Sequence, residues 1–188
     1  MSVTFVEEYR TEDKATWGPG EWQDEPDKAV WVDEDTGLDC MLVRSRLGNL
    51  CGYVGVPEGH PFHGTHYSKC LEHGDACEDR YEHLSVHGGL TYAAGCAETD
   101  DPSKHVCHIP QAGRPTNVWW FGFDCAHYRD LVPGMAASDR QRYEDAKAKG
   151  DTEGMRLWSF HDPDVEYRDV RYVTREVRRL AAQLAVAN

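Results

Sequence analysis

Asn117-Val118-Trp119-Trp120-Phe121-Gly122-Phe123-Asp124-Cys125-Ala126-His127 is the stretch around which the rest of the chain is arranged. A run this dense in aromatic and β-forming side chains reads as a buried strand. Side chains alternate across a strand, so Trp119, Phe121 and Phe123 share one face and Trp120, Gly122 and Asp124 the other. Where the apolar run stops, a carboxylate, a thiol and an imidazole follow within four residues. Proton-active groups at the exit of a core strand are held by a rigid scaffold yet open to a pocket, which marks Asp124, Cys125 and His127 as candidate site residues.

A buried strand needs partners, and the first half of the chain supplies them. Residues 29–32 and 38–43 read as strands, and Asp33-Glu34-Asp35-Thr36-Gly37 between them has the chemistry of a hairpin turn. A second turn at 46–49 leads into a strand over 50–56, which makes an antiparallel meander. Shorter strands are expected at 83–87 and 90–93. Residues 1–27, punctuated by Gly and Pro, read as loop anchored by Trp17 and Trp22. Ser138 opens a short polar helix that ends at Gly150. Near the C-terminus, Tyr167, Val170, Val173, Val177, Leu180, Ala181 and Leu184 recur at helical steps, with arginines mostly on the other face. Such a helix needs a sheet face to cover. The expectation is one α+β domain over residues 1–188, a mostly antiparallel sheet of about five strands covered by a C-terminal amphipathic helix.

With 188 residues and 40% hydrophobic content, the chain is long enough to bury a core. Its net charge of −13 repels nucleic-acid backbones, so sequence-independent binding to DNA or RNA is not expected. That surface still accommodates a small anionic ligand held by local cations, or an acidic mimic of DNA. Residues 1–10 lack the basic and apolar segments of a secretory signal, and no apolar run is long enough to span a bilayer. Together with seven cysteines in no familiar disulfide framework, this leads us to expect a cytoplasmic protein with mostly reduced thiols, one disulfide or metal site being allowed.

Nine of the ten histidines and five of the seven cysteines lie between His60 and His127. His60, His63 and His66 are three apart, but Pro61 and Gly64 place them in a loop rather than on a helix face. His83 and His87 share one face of the strand expected there. The sharp reading is a zinc site drawn from His60, His87, Asp124 and His127, with an open position for water. The plain reading is that these imidazoles bond to backbone or titrate in solvent, and no HExxH or paired CxxC is present. Alternatively Cys125 is a nucleophile with His60 or His87 as its base, against the plain reading of a small buried thiol. Cys96, Cys107 and His108 could pin a polar loop as a disulfide or a structural metal clip, and Cys70 and Cys77 bracket another loop. Gly88 and Gly89 let backbone N–H groups approach an anion or, more commonly, form a turn. Arg114 and Asn117 could bind an anionic group, and Tyr53, Trp119 or Trp120 could stack on a base, although core burial is the ordinary fate of such aromatics.

Trp17-Gly-Pro-Gly, Trp31-Val-Asp-Glu, Cys51-Gly-Tyr-Val-Gly-Val, Glu58-Gly-His-Pro, Val86-His-Gly-Gly-Leu-Thr-Tyr and Trp119-Trp-Phe-Gly-Phe-Asp-Cys-Ala-His resemble a family of uncharacterised proteins from actinobacteria and their phages. The resemblance spans the chain from about Trp17 to the last helix. It implies a cytosolic, phage-type accessory protein and carries over no mechanism and no functional residues. The leading expectation is a hydrolase-like enzyme acting on a polar, nucleotide-type small molecule through the His/Asp/Cys residues named above, with zinc as candidate cofactor. The rival expectations are a protein that sequesters a nucleotide ligand unchanged, and an acidic inhibitor of a host protein that uses the acidic stretches 24–39 and 72–82.

Overall fold

In the computed structural model, which describes residues 3–67, 84–96, 101–107, 112–159 and 164–186, six strands form one antiparallel sheet. They are β1 (Glu7–Tyr9), β2 (Lys28–Val32), β3 (Asp39–Arg44), β4 (Leu50–Pro57), β5 (Tyr92–Gly95) and β6 (Val118–Asp124), in the spatial order β1-β2-β3-β4-β6-β5. The expected central stretch is thus the strand inserted between β4 and β5, with Cys51 opposite Asp124 and Val54 opposite Phe121. Its two faces divide as the alternation requires. Phe121 and Phe123 enter one core with Trp31, Leu42, Val54 and Val56, and Trp119 packs against it. Trp120 and Val118 enter a second core on the opposite face with Met41 and Tyr53.

The first core is covered by α3 (Val170–Ala185), whose Val173, Val177, Leu180, Ala181 and Leu184 are fully buried. Each Val or Leu removed from water contributes about 1.5–3 kcal/mol of transfer free energy. Two carboxylates fix the start of this helix. Asp169 accepts from the Tyr172 N–H at 2.6 Å, and Glu25 from the Val170 N–H at 2.8 Å. Glu25 also accepts from Arg44 Nη2 at 2.9 Å and from Tyr167 Oη at 2.6 Å, tying the helix entry to β3. A buried Asp27 completes this network, bonded to Arg44 Nε at 2.8 Å and paired with Lys14 at 2.7 Å.

The second face is closed by residues 101–107. The fully buried Lys28 ammonium donates to the carbonyls of Pro102, His105 and Cys107, which uses all three of its donors. Burial is the main pull on this group and lowers its pKa to about 8.

Several boundaries differ from the sequence reading. β1 adds a sixth strand, within a stretch expected to be loop. Residues 84–91 contain no strand, because the backbone of Ser85 bonds instead to the side-chain amide of Gln183 on α3. His83 lies outside the described residues, and the strand expected at 90–93 runs from Tyr92 to Gly95. The polar helix α1 begins earlier than Ser138, at Pro133, where a proline at the first turn costs no hydrogen bond. It ends at Gly150, and a short α2 (Thr152–Trp158) follows. Among the described residues, no helix is long and apolar enough to cross a membrane.

Candidate functional site

Where β6 ends, the Asp124 carboxylate accepts from the Ala126 N–H at 3.0 Å and turns the chain sharply. The loop then brings His127 and Asp130 back toward each other. The His127 N–H donates to Asp130 Oδ2 at 2.9 Å, and the Asp130 N–H to the His127 carbonyl at 3.0 Å. Between them Arg129 adopts φ 69°, the one non-glycine residue with positive φ among the described residues. A strained backbone held beside polar side chains is common at functional sites.

A second loop, 84–91, meets this one. Leu84, Val86 and Leu90 pack against the first core, and a turn closed by Gly89 N–H to Val86 O at 3.1 Å presents His87. His87 Nε2 lies 2.7 Å from Asp130 Oδ2, and its Nδ1 lies 2.8 Å from the hydroxyl of Tyr172 on α3. Arg168 Nε donates to the other Asp130 oxygen at 2.9 Å. Burial of Asp130 would raise its pKa, but the bonds from His87, Arg168 and the His127 N–H outweigh it and hold the carboxyl below its ordinary value. The ionised Asp130 therefore assigns the proton of His87 to Nε2. Burial chiefly, with Glu176 nearby, raises the Tyr172 hydroxyl above its usual range, so Tyr172 donates to His87 Nδ1. The result is a hydrogen-bonded line from Tyr172 through His87 to Asp130, in which His87 Nδ1 is the nitrogen without a proton.

His127 stands beside this line, its ring 5.4 Å from that of His87 in an edge-to-face arrangement. It rests on Gly88, where a Cβ would fall 2.0 Å from His127 Cε1. His127 Nδ1 is buried and makes no hydrogen bond, lying 3.7 Å from Asp130 Oδ2 and 3.8 Å from Asp124 Oδ1. The ligand atoms of His87, His127 and Asp130 all lie within 4.8 Å of one another.

Of the residues singled out from sequence, the structure therefore brings together His87, Gly88, Asp124 and His127. It adds Asp130, Arg168 and Tyr172, which the sequence reading missed. A carboxylate three residues after His127 was the available signal for Asp130, whereas Tyr172 and Arg168 looked like ordinary positions around the last helix.

The other candidates sit elsewhere or serve structure. His60 donates from Nε2 to the Leu184 carbonyl at 3.1 Å and accepts from the Phe62 N–H at 3.2 Å, so it caps the end of α3 with both nitrogens used. Cys125 is buried in the first core, and burial first, then Asp130, pushes its thiol far above the usual range. A thiolate nucleophile is disfavoured there. Cys96 and Cys107 form a disulfide with Cα atoms 4.7 Å apart, which replaces the metal-clip alternative, while His108, Cys70 and Cys77 lie outside the described residues. Gly89 donates its N–H to the Val86 carbonyl in the turn, the commoner of the two uses weighed for the glycine pair, so that N–H is not presented to an anion. Arg114 bonds Asp39 at 2.6 Å and the Gly37 carbonyl, clamping the β2–β3 turn, and Asn117 is exposed just before β6. Tyr53 and Trp120 are packed in the second core rather than presented for stacking.

Comparison of the chain with protein-family models, curated proteins and solved structures finds no match.

Proposed function

We propose that the chain is a small hydrolase acting on a polar, nucleotide-type small molecule at the His87–Asp130–His127 centre. The observation that carries this reading is His87 held between an ionised carboxylate and a hydroxyl, beside an imidazole nitrogen that has no hydrogen bond of its own. Asp130 orients His87 and stabilises the imidazolium that forms when Nδ1 takes a proton. That proton comes from Tyr172, or from a water whose proton Tyr172 relays. Arg129, two residues after His127, is paired with Asp164 at 3.2 Å, whereas the exposed Arg175 guanidinium covers the Tyr172 ring at 4.9 Å and is the cation that an anionic substrate would meet.

The test is incubation of the full chain with a panel of nucleoside mono-, di- and triphosphates and cyclic nucleotides, with products separated by chromatography. Turnover lost on His87→Gln, with the fold intact by circular dichroism, is expected. A panel recovered unchanged, or turnover undiminished in that variant, overturns the reading. A second reading is favoured by the net charge of −13, namely an accessory protein that binds a basic host protein. It calls for an association that weakens steeply with salt and is indifferent to His87.

A further inference from the structure

We infer that the same centre is a binding site for one divalent transition-metal ion, held by His87 Nε2, His127 Nδ1 and Asp130 Oδ2. The inference rests on the hydrolase reading for its catalytic meaning, but ion binding is read without turnover.

The spacing comes first. Ligands about 2.0–2.1 Å from a tetrahedral ion lie about 3.3 Å from one another. His87 Nε2 and Asp130 Oδ2 are 2.7 Å apart, with a proton between them, and His127 Nδ1 is 3.7 Å from the same oxygen. An ion in place of the proton would spread the first pair and draw in the second, each by about half an ångström.

The outer contacts match what metal-bound side chains need. A ligating imidazole has its other nitrogen fixed by a polar partner, and a ligating carboxylate has its other oxygen bonded. With an ion on Nε2 the proton of the neutral His87 ring sits on Nδ1, which then donates to the Tyr172 oxygen 2.8 Å away, and Asp130 Oδ1 is fixed by Arg168 at 2.9 Å. On His87 and Asp130, the atoms facing the centre are thus free of competing partners apart from each other and the His127 N–H. His127 contributes the second, independent observation: its Nδ1 is buried, faces two carboxylates and bonds to neither. An ion there would satisfy that nitrogen, and Asp124 is placed to approach as a fourth ligand or to hold a bound water.

Charge and donor type narrow the ion. Two carboxylates face one guanidinium across the site, so neutral imidazoles leave a net negative centre that favours a dication. Two nitrogens and one oxygen suit zinc, iron(II) or cobalt(II), whereas magnesium and calcium prefer all-oxygen shells. Three protein ligands leave a position for water or substrate, as in catalytic rather than structural sites.

The experiment is titration of chelator-treated full-length protein with cobalt(II), followed by visible absorption, and with zinc(II), followed by calorimetry. The expected result is one ion per chain with d–d bands in the visible and no thiolate charge-transfer band. His127→Gln should weaken affinity about 100-fold or more, consistent with loss of a ligand where outer-shell changes alone cost about 10–100-fold. This variant is informative because the His127 side chain makes no hydrogen bond on which the fold depends. Absence of stoichiometric binding, equal affinity in His127→Gln, or a thiolate band overturns the inference. Stoichiometric binding together with hydrolysis that persists in ion-free protein upholds the site and shows that the hydrolysis does not need the ion. Binding as expected in a protein that turns over no nucleotide upholds the metal site and removes the hydrolase.

Discussion

Replacing Gly88 by alanine introduces two separate penalties, and the structure allows them to be measured apart. Gly88 has φ +66°, a conformation that costs an L-residue about 1–2 kcal/mol. Its new Cβ would also stand 2.0 Å from His127 Cε1, so the imidazole must retreat by about 1.5 Å to reach van der Waals contact. Gly89 is the control, because its φ is +89° and a Cβ there meets nothing within 4 Å. Both Gly88→Ala and Gly89→Ala should lower the thermal midpoint by a few degrees, about what 1–2 kcal/mol gives in a domain of this size. Only Gly88→Ala should also impair the centre, since a displacement of about 1 Å can cost about 100-fold in a positioned reaction. Cobalt(II) affinity and nucleotide turnover, read beside differential scanning calorimetry, make the comparison. If the two variants lose function equally, or Gly88→Ala retains it, then the His127 ring does not need its seat on Gly88 and the reasoning fails.

Other consequences can be checked on the same material. Cys125→Ala should cost about 1 kcal/mol in chemical unfolding and leave turnover and ion binding unchanged, because the thiol is a core group. A large loss of activity at full stability would restore the thiol to the chemistry. Lys28→Met leaves the Pro102, His105 and Cys107 carbonyls without their donor and should cost about 1–3 kcal/mol at neutral pH by urea unfolding. The pH dependence gives a second signature. The folded chain binds fewer protons at Lys28 than the unfolded chain between about pH 8 and 10.5, so this group makes stability rise with pH across that window, by up to about 1.4 kcal/mol per unit. That increment should vanish in Lys28→Met, and an unchanged pH profile would refute the buried ammonium. At the acid end, burial would raise the Asp27 carboxyl, but the Glu12 and Thr11 N–H groups and Lys14 hold it below its ordinary value. Its stabilising contribution is present above about pH 4 and is lost as pH falls below that. Asp27→Asn should flatten the acid limb of the stability curve while costing about 3–5 kcal/mol at pH 7, since Arg44 and Lys14 keep buried charges.

Much of the fold was legible because its signals are local. Alternation picked out β2, β3, β4 and β6, and the steps from Val173 to Leu184 picked out α3. What escaped was decided by tertiary contact. Glu7-Glu8-Tyr9 is too short and acidic to read as a strand, and it forms one only as an edge against β2. Residues 83–87 alternate like a strand, yet Gln183 takes the backbone bonds of Ser85 that a neighbouring strand would have taken. The site divides in the same way. His87, Asp124 and His127 stood out by residue type near strand ends, whereas Asp130 and Tyr172 acquire their roles only when two loops and a helix meet. His60 shows the converse, a conspicuous imidazole whose two nitrogens are spent on a helix terminus and a turn.

The strand order also shapes how the chain reaches this structure. β4 is buried along nearly its whole length, but its outer neighbour β6 begins at Val118, after some sixty intervening residues have been made. On the ribosome, the first four strands can pair as soon as they emerge, with the apolar edge of β4 left open until β6 arrives. An open edge of this kind invites pairing with other chains. The finished sheet ends instead in β1 and β5, three and four residues long, which offer little to pair with. Truncation before Val118 should therefore yield a chain that aggregates rather than a smaller folded unit.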